Sequence, residues 1–261
     1  MRKNMTVNLH THTYHCGHAT CTPEEYVKRA IENGVKVMGF SEHVPFKFPN
    51  GKELDSHLQM KDVPLYFEEI KQLREKYKDQ IEIHIGFEVE YLPKYFNQMY
   101  EQCIKMGAEY FLLGQHFVGN EEPWGHWVGQ YQRPKEDLTE YVDLAIEGMK
   151  TGKFTYLCHP DVIDATNDMD FYIKENTRLC KAAREYGVPL EINFFGIRDN
   201  RFYPFDKFWE IAGKVGCKVV FGFDAHDTLA AFDRDSIPVA KQIVEKYNLT
   251  LIENPKPVNL I

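Results

Sequence analysis

The sequence predicts an α/β fold built as a barrel of parallel strands, and two features of the chain support this prediction. First, seven short apolar runs rich in β-branched residues alternate with amphipathic segments of helical period. Second, His, Asp and Glu residues recur where those runs stop. In a parallel barrel the carboxyl ends of all strands meet at one mouth, whereas an open sheet spreads them along an edge. A closed or nearly closed barrel therefore explains the pattern better.

The predicted strands have ordinary lengths. Each apolar run is four to seven residues long, which matches the usual length of a strand in a globular protein. Because helical patterns separate the runs, we expect parallel pairing with right-handed crossovers. The predicted strands cover residues 6–9, 35–40, 81–87, 110–113, 154–157, 188–193 and 218–223.

The first helix has the clearest boundaries. Thr22 offers an N-cap hydroxyl, Pro23 suits the first helical position, and Glu25 is spaced for a capping box. Gly34 follows where a helix end favours a residue that tolerates positive φ. Similar patterns predict further helices near residues 63–77, 93–106, 138–149, 171–186, 205–215 and 236–247.

Composition limits the class of protein. The chain has 261 residues, 43% of them hydrophobic, with no linker or repeat, so we expect a single domain over residues 1–261. A formal charge of -8 argues against nucleic acid as a partner, because no cationic field gathers phosphate backbone. No apolar stretch reaches membrane-spanning length, and six cysteines without a Cys-x-x-Cys pair indicate reduced thiols. We therefore expect a soluble, cytoplasmic protein that contacts no membrane, and the oligomeric state stays open.

Residues with metal-binding side chains follow the predicted strands. His10 and His12 directly follow the first run and share one face in extended geometry. Taken alone, a His-x-His pair also arises in ordinary turns. Comparable residues stand at every later strand exit except the sixth, which gives Asn193. With His18 from the first loop, the candidate metal ligands are His10, His12, His18, His43, Glu88, His116, His159, Asp224 and His226.

This set exceeds the needs of one metal ion. Seven imidazoles and two carboxylates would be used in full by two or three ions that share a bridging carboxylate. The mixed nitrogen and oxygen donors suit zinc, manganese, iron or cobalt rather than calcium. We therefore predict a cluster of two or three divalent transition-metal ions, whose identity depends on availability as well as on affinity.

The same residues resemble the motifs of the polymerase and histidinol phosphatase (PHP) superfamily of metal-dependent phosphoesterases. The resemblance covers nearly the whole chain, and its motifs here are His10-x-His12, the following His18, Glu42-His43, Gly86-x-Glu88, His116, His159-Pro160 and Asp224-x-His226. It implies a distorted (β/α)7 TIM-like barrel, in agreement with the seven units counted above. It also implies three metal sites, formed by His10, His12, Glu88 and Asp224, by His18, His43 and His226, and by Glu88, His116 and His159.

Such a cluster suits the hydrolysis of a phosphate monoester. The ester dianion repels hydroxide, and its uncatalysed hydrolysis is among the slowest reactions known. Divalent ions neutralise the phosphoryl charge and lower the pKa of bound water from about 15.7 toward about 7. We expect a metal-bound hydroxide to attack phosphorus in line, without a phosphoenzyme intermediate and without a catalytic residue beyond the metal ligands.

Two arginines are candidate phosphate contacts. Arg198 and Arg201 follow the sixth strand, and a guanidinium holds two phosphate oxygens in a fork. Relatives resembling histidinol-phosphate phosphatase carry an arginine in an Asn-x-x-Gly-x-Arg segment, which the resemblance maps onto Arg198. They often carry another arginine after the position of His159, where this chain has Pro160. Either Arg201 takes over that contact or the substrate differs.

The remaining polar residues are assigned more simply. Glu42 is expected to offer a counter-charge for the amino group of histidinol phosphate, because it stands beside a strand exit. Glu121 and Glu122 are alternatives, although a solvated acidic loop explains them equally well. Glu90 either orients a metal ligand or lies at the rim. Surface or structural roles are assigned to His15, His57, His84 and His126.

Three functional classes follow from these observations. The favoured one is a phosphomonoesterase that hydrolyses L-histidinol phosphate, in histidine biosynthesis if the resemblance holds. The first alternative keeps the metal chemistry but acts on phosphotyrosine in a protein, on a nucleotide or on another small phosphate ester. The second is a non-catalytic metal-binding accessory module, which is disfavoured because every candidate ligand is present.

Overall fold

The computed structural model of the protein describes residues 5–119 and 125–260. Eight parallel strands form one sheet in which neighbours follow chain order, and a short antiparallel hairpin lies apart from it. Numbered along the chain, the strands are β1 (Val7–Asn8), β2 (Val37–His43), β3 (Glu82–Val89), β4 (Tyr110–Leu113), β5 (Phe117–Val118), β6 (His126–Trp127), β7 (Phe154–Leu157), β8 (Leu190–Asn193), β9 (Lys218–Gly222) and β10 (Thr250–Leu251). Strands β5 and β6 form the hairpin.

Helices separate the strands of the sheet. They are α1 (Pro23–Glu32), α2 (Val63–Tyr77), α3 (Phe96–Met106), α4 (Lys135–Lys150), α5 (Met169–Tyr186), α6 (Phe194–Arg198), α7 (Asp206–Val215) and α8 (Ser236–Lys246). Short 3-10 turns at Tyr14–Cys16 and Ala230–Phe232 lie in the loops after β1 and β9. The alternation of strand and helix is that of a β/α barrel.

The sheet curls until its first strand meets the chain that leaves β9. Thr11, just beyond β1, forms a parallel bridge with Ala225. The backbone N–H of His12 donates to the carbonyl of Ala225 at 2.9 Å. The sheet is therefore closed at the end where its strands exit, and the predicted distorted TIM-like barrel is confirmed.

Residue alternation along the strands divides the core into two layers. The larger apolar cluster packs between the sheet and the helices and includes Phe111 and Leu113 of β4. The alternate β4 residues Tyr110 and Leu112 belong to a smaller cluster on the opposite face, together with Leu9. The Tyr110 hydroxyl donates to the Leu9 carbonyl at 2.7 Å. The barrel interior is thus filled by side chains below the mouth.

Most predicted elements are present. All seven predicted strands form, and α2 has the predicted bounds. The Glu25 carboxylate accepts from the Thr22 N–H at 2.7 Å, as the capping box requires, and it also accepts from the Thr22 hydroxyl at 2.8 Å. Gly34 has φ of 82°. The sequence patterns did not predict β10, α6 or the β5–β6 hairpin.

The cysteines are free thiols, as predicted, and five of the six are buried. Within the described ranges, no helix combines the length and apolar character needed to cross a bilayer. Glu121 and Glu122 lie outside the described residues.

Candidate metal centre

The nine predicted ligands come together at the mouth of the barrel. His10 and His12 project from the same side of the chain that leaves β1, with their Nε2 atoms 3.2 Å apart. His18 reaches the mouth from the following loop, where its Nε2 lies 3.0 Å from Nε2 of His226. His43 ends β2, so its ring lies beside that of His12, with centroids 4.4 Å apart.

Glu88, near the end of β3, lies at the centre of this cluster. Its Oε1 is 2.9 Å from Nε2 of His159 and 3.4 Å from Nε2 of His116. Its Oε2 is 3.4 Å from Nε2 of both His10 and His12. A Cβ at Gly114 would lie 2.1 Å from Oε1 of Glu88, so the exit of β4 needs glycine to leave room for the carboxylate.

Asp224 connects the first exit with the last. Its Oδ1 lies 3.5 Å from Nε2 of His10, 3.4 Å from Nε2 of His12 and 3.4 Å from Nδ1 of His226. Asp224 has φ of 45° and His159 has φ of 29°. Such positive values are uncommon for residues other than glycine and occur often at functional sites. Sharp turns at two strand exits thus bear side chains of this cluster.

The spacing and chemistry of these atoms fit divalent ions. Two ligand atoms that each lie about 2.0–2.2 Å from a tetrahedral ion are roughly 3.3–3.6 Å apart, and the cluster contains several contacts in this range. The Nδ1 atoms of His12, His43 and His159 are buried without a hydrogen-bond partner in the described structure. In three groups, one donor atom from each residue lies within 4.8 Å of the donor atoms of the other two: His10, His12 and Asp224; His18, His43 and His226; and His12, His43 and Glu88.

The carboxylates make this pocket favour positive charge. Burial alone would lower the pKa of His10, but Glu191, Asp224 and Glu88 outweigh it and raise that pKa well above the usual value. Burial alone would raise the pKa of Glu88, but His116 and His10 outweigh it and hold that pKa well below the usual value. A carboxylate that stays ionised while fully buried is the group expected to face cations.

The outer imidazoles behave differently. Burial, reinforced by the charge of His12, lowers the pKa of His43 well below its usual value. The same two causes, in the same order, lower the pKa of His226 to about 3. Neutral imidazole is the form that binds metals, so both rings are held in a ligating state.

Two buried thiols also lie in this region. Cys16 belongs to a donor group with His12 and His226, and Cys158 to one with His10 and Glu88. Burial raises the pKa of Cys16 to about 12 and that of Cys158 well above its usual value. Both residues are therefore held as neutral thiols, in keeping with the prediction of reduced cysteines.

Further polar residues support the ligands from behind. Glu90 accepts from Nδ1 of His116 at 2.9 Å, so it orients a predicted ligand and does not lie at the rim. His57, for which the sequence predicts a surface or structural role, also lines the cleft. Its Nδ1 donates to the Val44 carbonyl at 3.0 Å, and its Nε2 lies 3.5 Å from Glu90. No sequence pattern indicated a place for His57 in the site, because it follows no predicted strand.

Glu42 does not reach the substrate side of the mouth. It is fully buried, its Oε1 accepts from the Thr13 N–H at 2.6 Å, and its Oε2 lies 3.6 Å from Nδ1 of His12. The expected contact between Glu42 and a substrate amino group is not supported by this geometry. Glu42 instead lies behind a predicted ligand.

The two arginines differ in placement. Arg198 is directed away from the cleft: Nη1 donates to the Phe223 carbonyl at 2.9 Å and Nη2 to the Asp224 carbonyl at 3.1 Å. Arg201 lines the cleft, with its guanidinium carbon 4.1 Å from the ring centroid of Phe195. The geometry therefore favours Arg201 as the arginine that meets a phosphate, whereas the sequence favoured Arg198.

A cleft of about 430 Å³ opens above the cluster. Beyond the predicted ligands, its lining is mainly aromatic and includes Phe117, Trp127, Phe195 and Tyr203. A second cavity of about 340 Å³, beside the start of β1, is lined largely by apolar residues and contains no histidine. The chemistry of the molecule is therefore concentrated in the first cleft.

Comparisons with known proteins agree with this arrangement. The model of the PHP domain family matches residues 8–194. A probable histidinol-phosphatase of Deinococcus radiodurans is 25% identical over 228 residues, which cover 83% of this chain and 85% of that protein. The histidinol-phosphatase of Lactococcus lactis subsp. lactis is 24% identical over 254 residues, which cover 92% and 90%.

One solved structure shows the same fold over almost the full length. It is the histidinol phosphate phosphatase of Lactococcus lactis, complexed with zinc, L-histidinol and phosphate, and it matches with a TM-score of 0.70 at 21% identity over 95% of both chains. The family model covers well over half of the chain. The chain therefore belongs to the PHP domain family.

Proposed function

We propose that this protein is a divalent-metal-dependent phosphomonoesterase that hydrolyses L-histidinol phosphate to L-histidinol and phosphate. The observation that carries the proposal is the convergence of seven imidazoles on two buried carboxylates, Glu88 and Asp224, at one barrel mouth. Relatives that match most of this chain are named histidinol-phosphatases. The histidine-biosynthetic role and the cytoplasmic location are part of this proposal, and the six free cysteines are in keeping with a reducing compartment.

The chain's own residues divide into three ligand groups. His10, His12, Glu88 and Asp224 would hold one ion, His18, His43 and His226 a second, and Glu88, His116 and His159 a third. Glu88 is placed to bridge, because its two oxygens face different imidazoles. When bound, the ions supply Lewis acidity and a water that ionises near neutral pH.

We extend the functional unit to the whole of residues 1–261. The predicted ligands run from His10 near the start of the chain to His226, beyond the segment that the family model matches. Thr11 and Ala225 also close the barrel by direct pairing. Removal of the last strand–helix unit would therefore take Asp224 and His226 from the site.

In this proposal Arg201 binds the phosphate group, and aromatic residues that line the cleft contact the leaving group. Arg201 faces the cleft from the loop after α6, and its side chain is only 35% exposed. A guanidinium there adds fixed positive charge beside the cluster. Phe117 and Trp127 of the β5–β6 hairpin line another part of the cleft, where an aromatic ring such as imidazole would gain contact area.

Steady-state kinetics on a panel of esters, with the metals measured on the same sample, tests this proposal. The panel contains histidinol phosphate, phosphotyrosine, a nucleoside monophosphate and a simple alkyl phosphate. We expect kcat/KM to be highest for histidinol phosphate and activity to disappear on chelation and return with metal. A clear preference for another ester would replace the substrate. No hydrolysis by the metal-loaded protein would favour a binding module instead.

A further inference from the structure

Strand β8 contributes no predicted metal ligand, yet it directs a charged side chain into the centre of the site. Glu191 lies within β8 and is completely buried. Its Oε1 lies 2.8 Å from Nδ1 of His10. Its Oε2 accepts from the backbone N–H of His159 at 3.0 Å and from the Asn193 amide at 2.8 Å. Both oxygens of this carboxylate therefore contact the candidate metal centre.

The neighbouring strand is shaped around this carboxylate. Gly222, at the end of β9, pairs with Asn193 of β8. A Cβ at Gly222 would lie 1.7 Å from Oε1 of Glu191, the oxygen that meets His10. Any other residue at position 222 would displace that oxygen, so the glycine keeps the contact between Glu191 and His10 possible.

The two carboxylate oxygens of Glu191 have different hydrogen-bond partners. Oε2 faces two donors, the His159 N–H and the Asn193 amide, and the first is fixed by the backbone. Oε1 faces His10, so the carboxylate accepts a hydrogen bond from the Nδ1–H of His10 and leaves Nε2 with its lone pair free. Nε2 is the atom that faces Glu88 and Asp224. The carboxylate thus selects the tautomer that binds a metal.

Asn193 extends the same contact to a second predicted ligand. Its amide nitrogen donates to Oε2 of Glu191 at 2.8 Å and to Oδ2 of Asp224 at 3.0 Å. Its Oδ1 accepts from the N–H of Phe195 at 2.9 Å and so caps helix α6. The pair Glu191 and Asn193 therefore joins the ligands of the first, fifth and seventh strand exits.

We infer that Glu191 is a positioning residue of the metal centre, which fixes His10 in the Nδ1-protonated tautomer and, through Asn193, holds Asp224 in place. This inference rests on the proposed metal function and adds a residue that the nine-ligand set lacks. The inference accounts for the buried acid Glu191 within β8. It also explains why the exit of β8, the one predicted strand exit without a metal-binding side chain, still has the polar residue Asn193.

Substitution Glu191→Gln separates this role from simple packing, because the side chains have nearly the same shape. The amide oxygen must serve the two donors at the Oε2 position, which leaves the NH2 group facing Nδ1 of His10. His10 is then forced into the opposite tautomer, with a proton on Nε2. We expect zinc affinity to fall by about 10- to 100-fold, the range found when partners of metal-bound histidines are removed.

The experiment titrates metal-free protein with zinc against a chromophoric chelator and records the melting temperature of the metal-free protein separately. The control is Glu175→Gln, which alters a buried carboxylate on α5 that pairs with Arg178. We expect wild type and control to bind zinc alike and Glu191→Gln to bind it more weakly. Gly222→Ala should reproduce the defect without a change of charge, and it decides the matter if Glu191→Gln does not fold.

The outcomes are distinguishable. If wild type binds zinc and Glu191→Gln binds it with the same affinity and stoichiometry, the inference fails and the proposed function stands. The same holds if only the melting temperature of the metal-free protein falls, because that result shows a packing role. If wild type itself binds no zinc or other divalent metal, the proposed function fails and the inference with it.

Discussion

Arg198 donates a hydrogen bond from Nη2 to the backbone carbonyl of Asp224 at 3.1 Å. Its Nη1 donates to the carbonyl of Phe223 at 2.9 Å and to Oδ2 of Asp233 at 3.1 Å. Asp224 has the unusual φ of 45°. The guanidinium therefore holds the sharp turn that aims the Asp224 carboxylate at His10 and His12.

We predict that Arg198→Ala lowers metal content as well as activity. The substitution removes the guanidinium donors from the Phe223 and Asp224 carbonyls and from the Asp233 carboxylate, which costs about 2 kcal/mol or more. Elemental analysis and thermal unfolding measure the two effects. A variant that keeps full metal content and stability but shows a raised KM would instead support the direct phosphate contact that the sequence indicates for Arg198.

For Arg201→Ala we expect a raised KM with unchanged metal content, the opposite of the result expected for Arg198→Ala. Arg201 lies in the cleft and contacts Phe195 and Asp199, so its loss leaves the metal cluster intact. Loss of a charge-assisted contact to phosphate costs about 1.5–3 kcal/mol, so KM for phosphate esters should rise roughly 10- to 100-fold. Arg184→Ala serves as the control, because that arginine binds the Val215 carbonyl on the outer helices. Unchanged KM in Arg201→Ala would remove Arg201 from substrate binding.

The positions of the strand exits explain why so much of this site was predictable. A parallel barrel places every strand end at one mouth, so residues such as His10 and Asp224 converge although most of the chain lies between them. Their identity as histidines and acids after apolar runs is visible in the sequence alone. The nine side chains meet as predicted, and their role as metal ligands stays a prediction.

Contacts that depend on side-chain direction were not predictable. Arg198 and Arg201 follow the same strand, and only the turn of α6 directs one toward the Asp224 carbonyl and the other toward the cleft. Glu191 lies inside a strand, and a single acidic residue in an apolar run does not by itself indicate a role in a site. Strand β10 has two residues, too few for a hydrophobic period to register.

We predict that Glu88→Gln removes metal and hydrolysis together. Glu88 is 1% exposed and contacts five imidazoles, so an amide there can neither bridge cations nor balance their charge. Activity should fall by at least about 100-fold, more than for the loss of a supporting residue. Asp224→Asn should act in the same direction. Retention of stoichiometric metal and full activity by either variant would exclude that residue from the metal centre.

A final prediction concerns acid stability and lies away from the site. Glu109, just before β4, accepts from Arg74 at 3.0 Å and from the Ile85 N–H at 3.1 Å. Burial alone would raise its pKa, but hydrogen bonds from His84, Arg74 and the Ile85 N–H lower it from 4.5 to about 2. Because the unfolded chain binds this proton more tightly, the carboxylate stabilises the fold above about pH 4.5, and that contribution is lost as the pH falls toward about 2.

Glu109→Gln should therefore lower the free energy of unfolding by about 1 kcal/mol near neutral pH, since the group is partly exposed and solvent screens it. The difference from wild type should shrink between about pH 4.5 and about pH 3, as wild type begins to lose the same contribution. Urea denaturation at several pH values measures both trends. Glu101→Gln, at an exposed site on α3, is the control and should show neither. If the difference in unfolding free energy between wild type and Glu109→Gln stays constant across this pH range, the Glu109 side chain acts by packing rather than by charge.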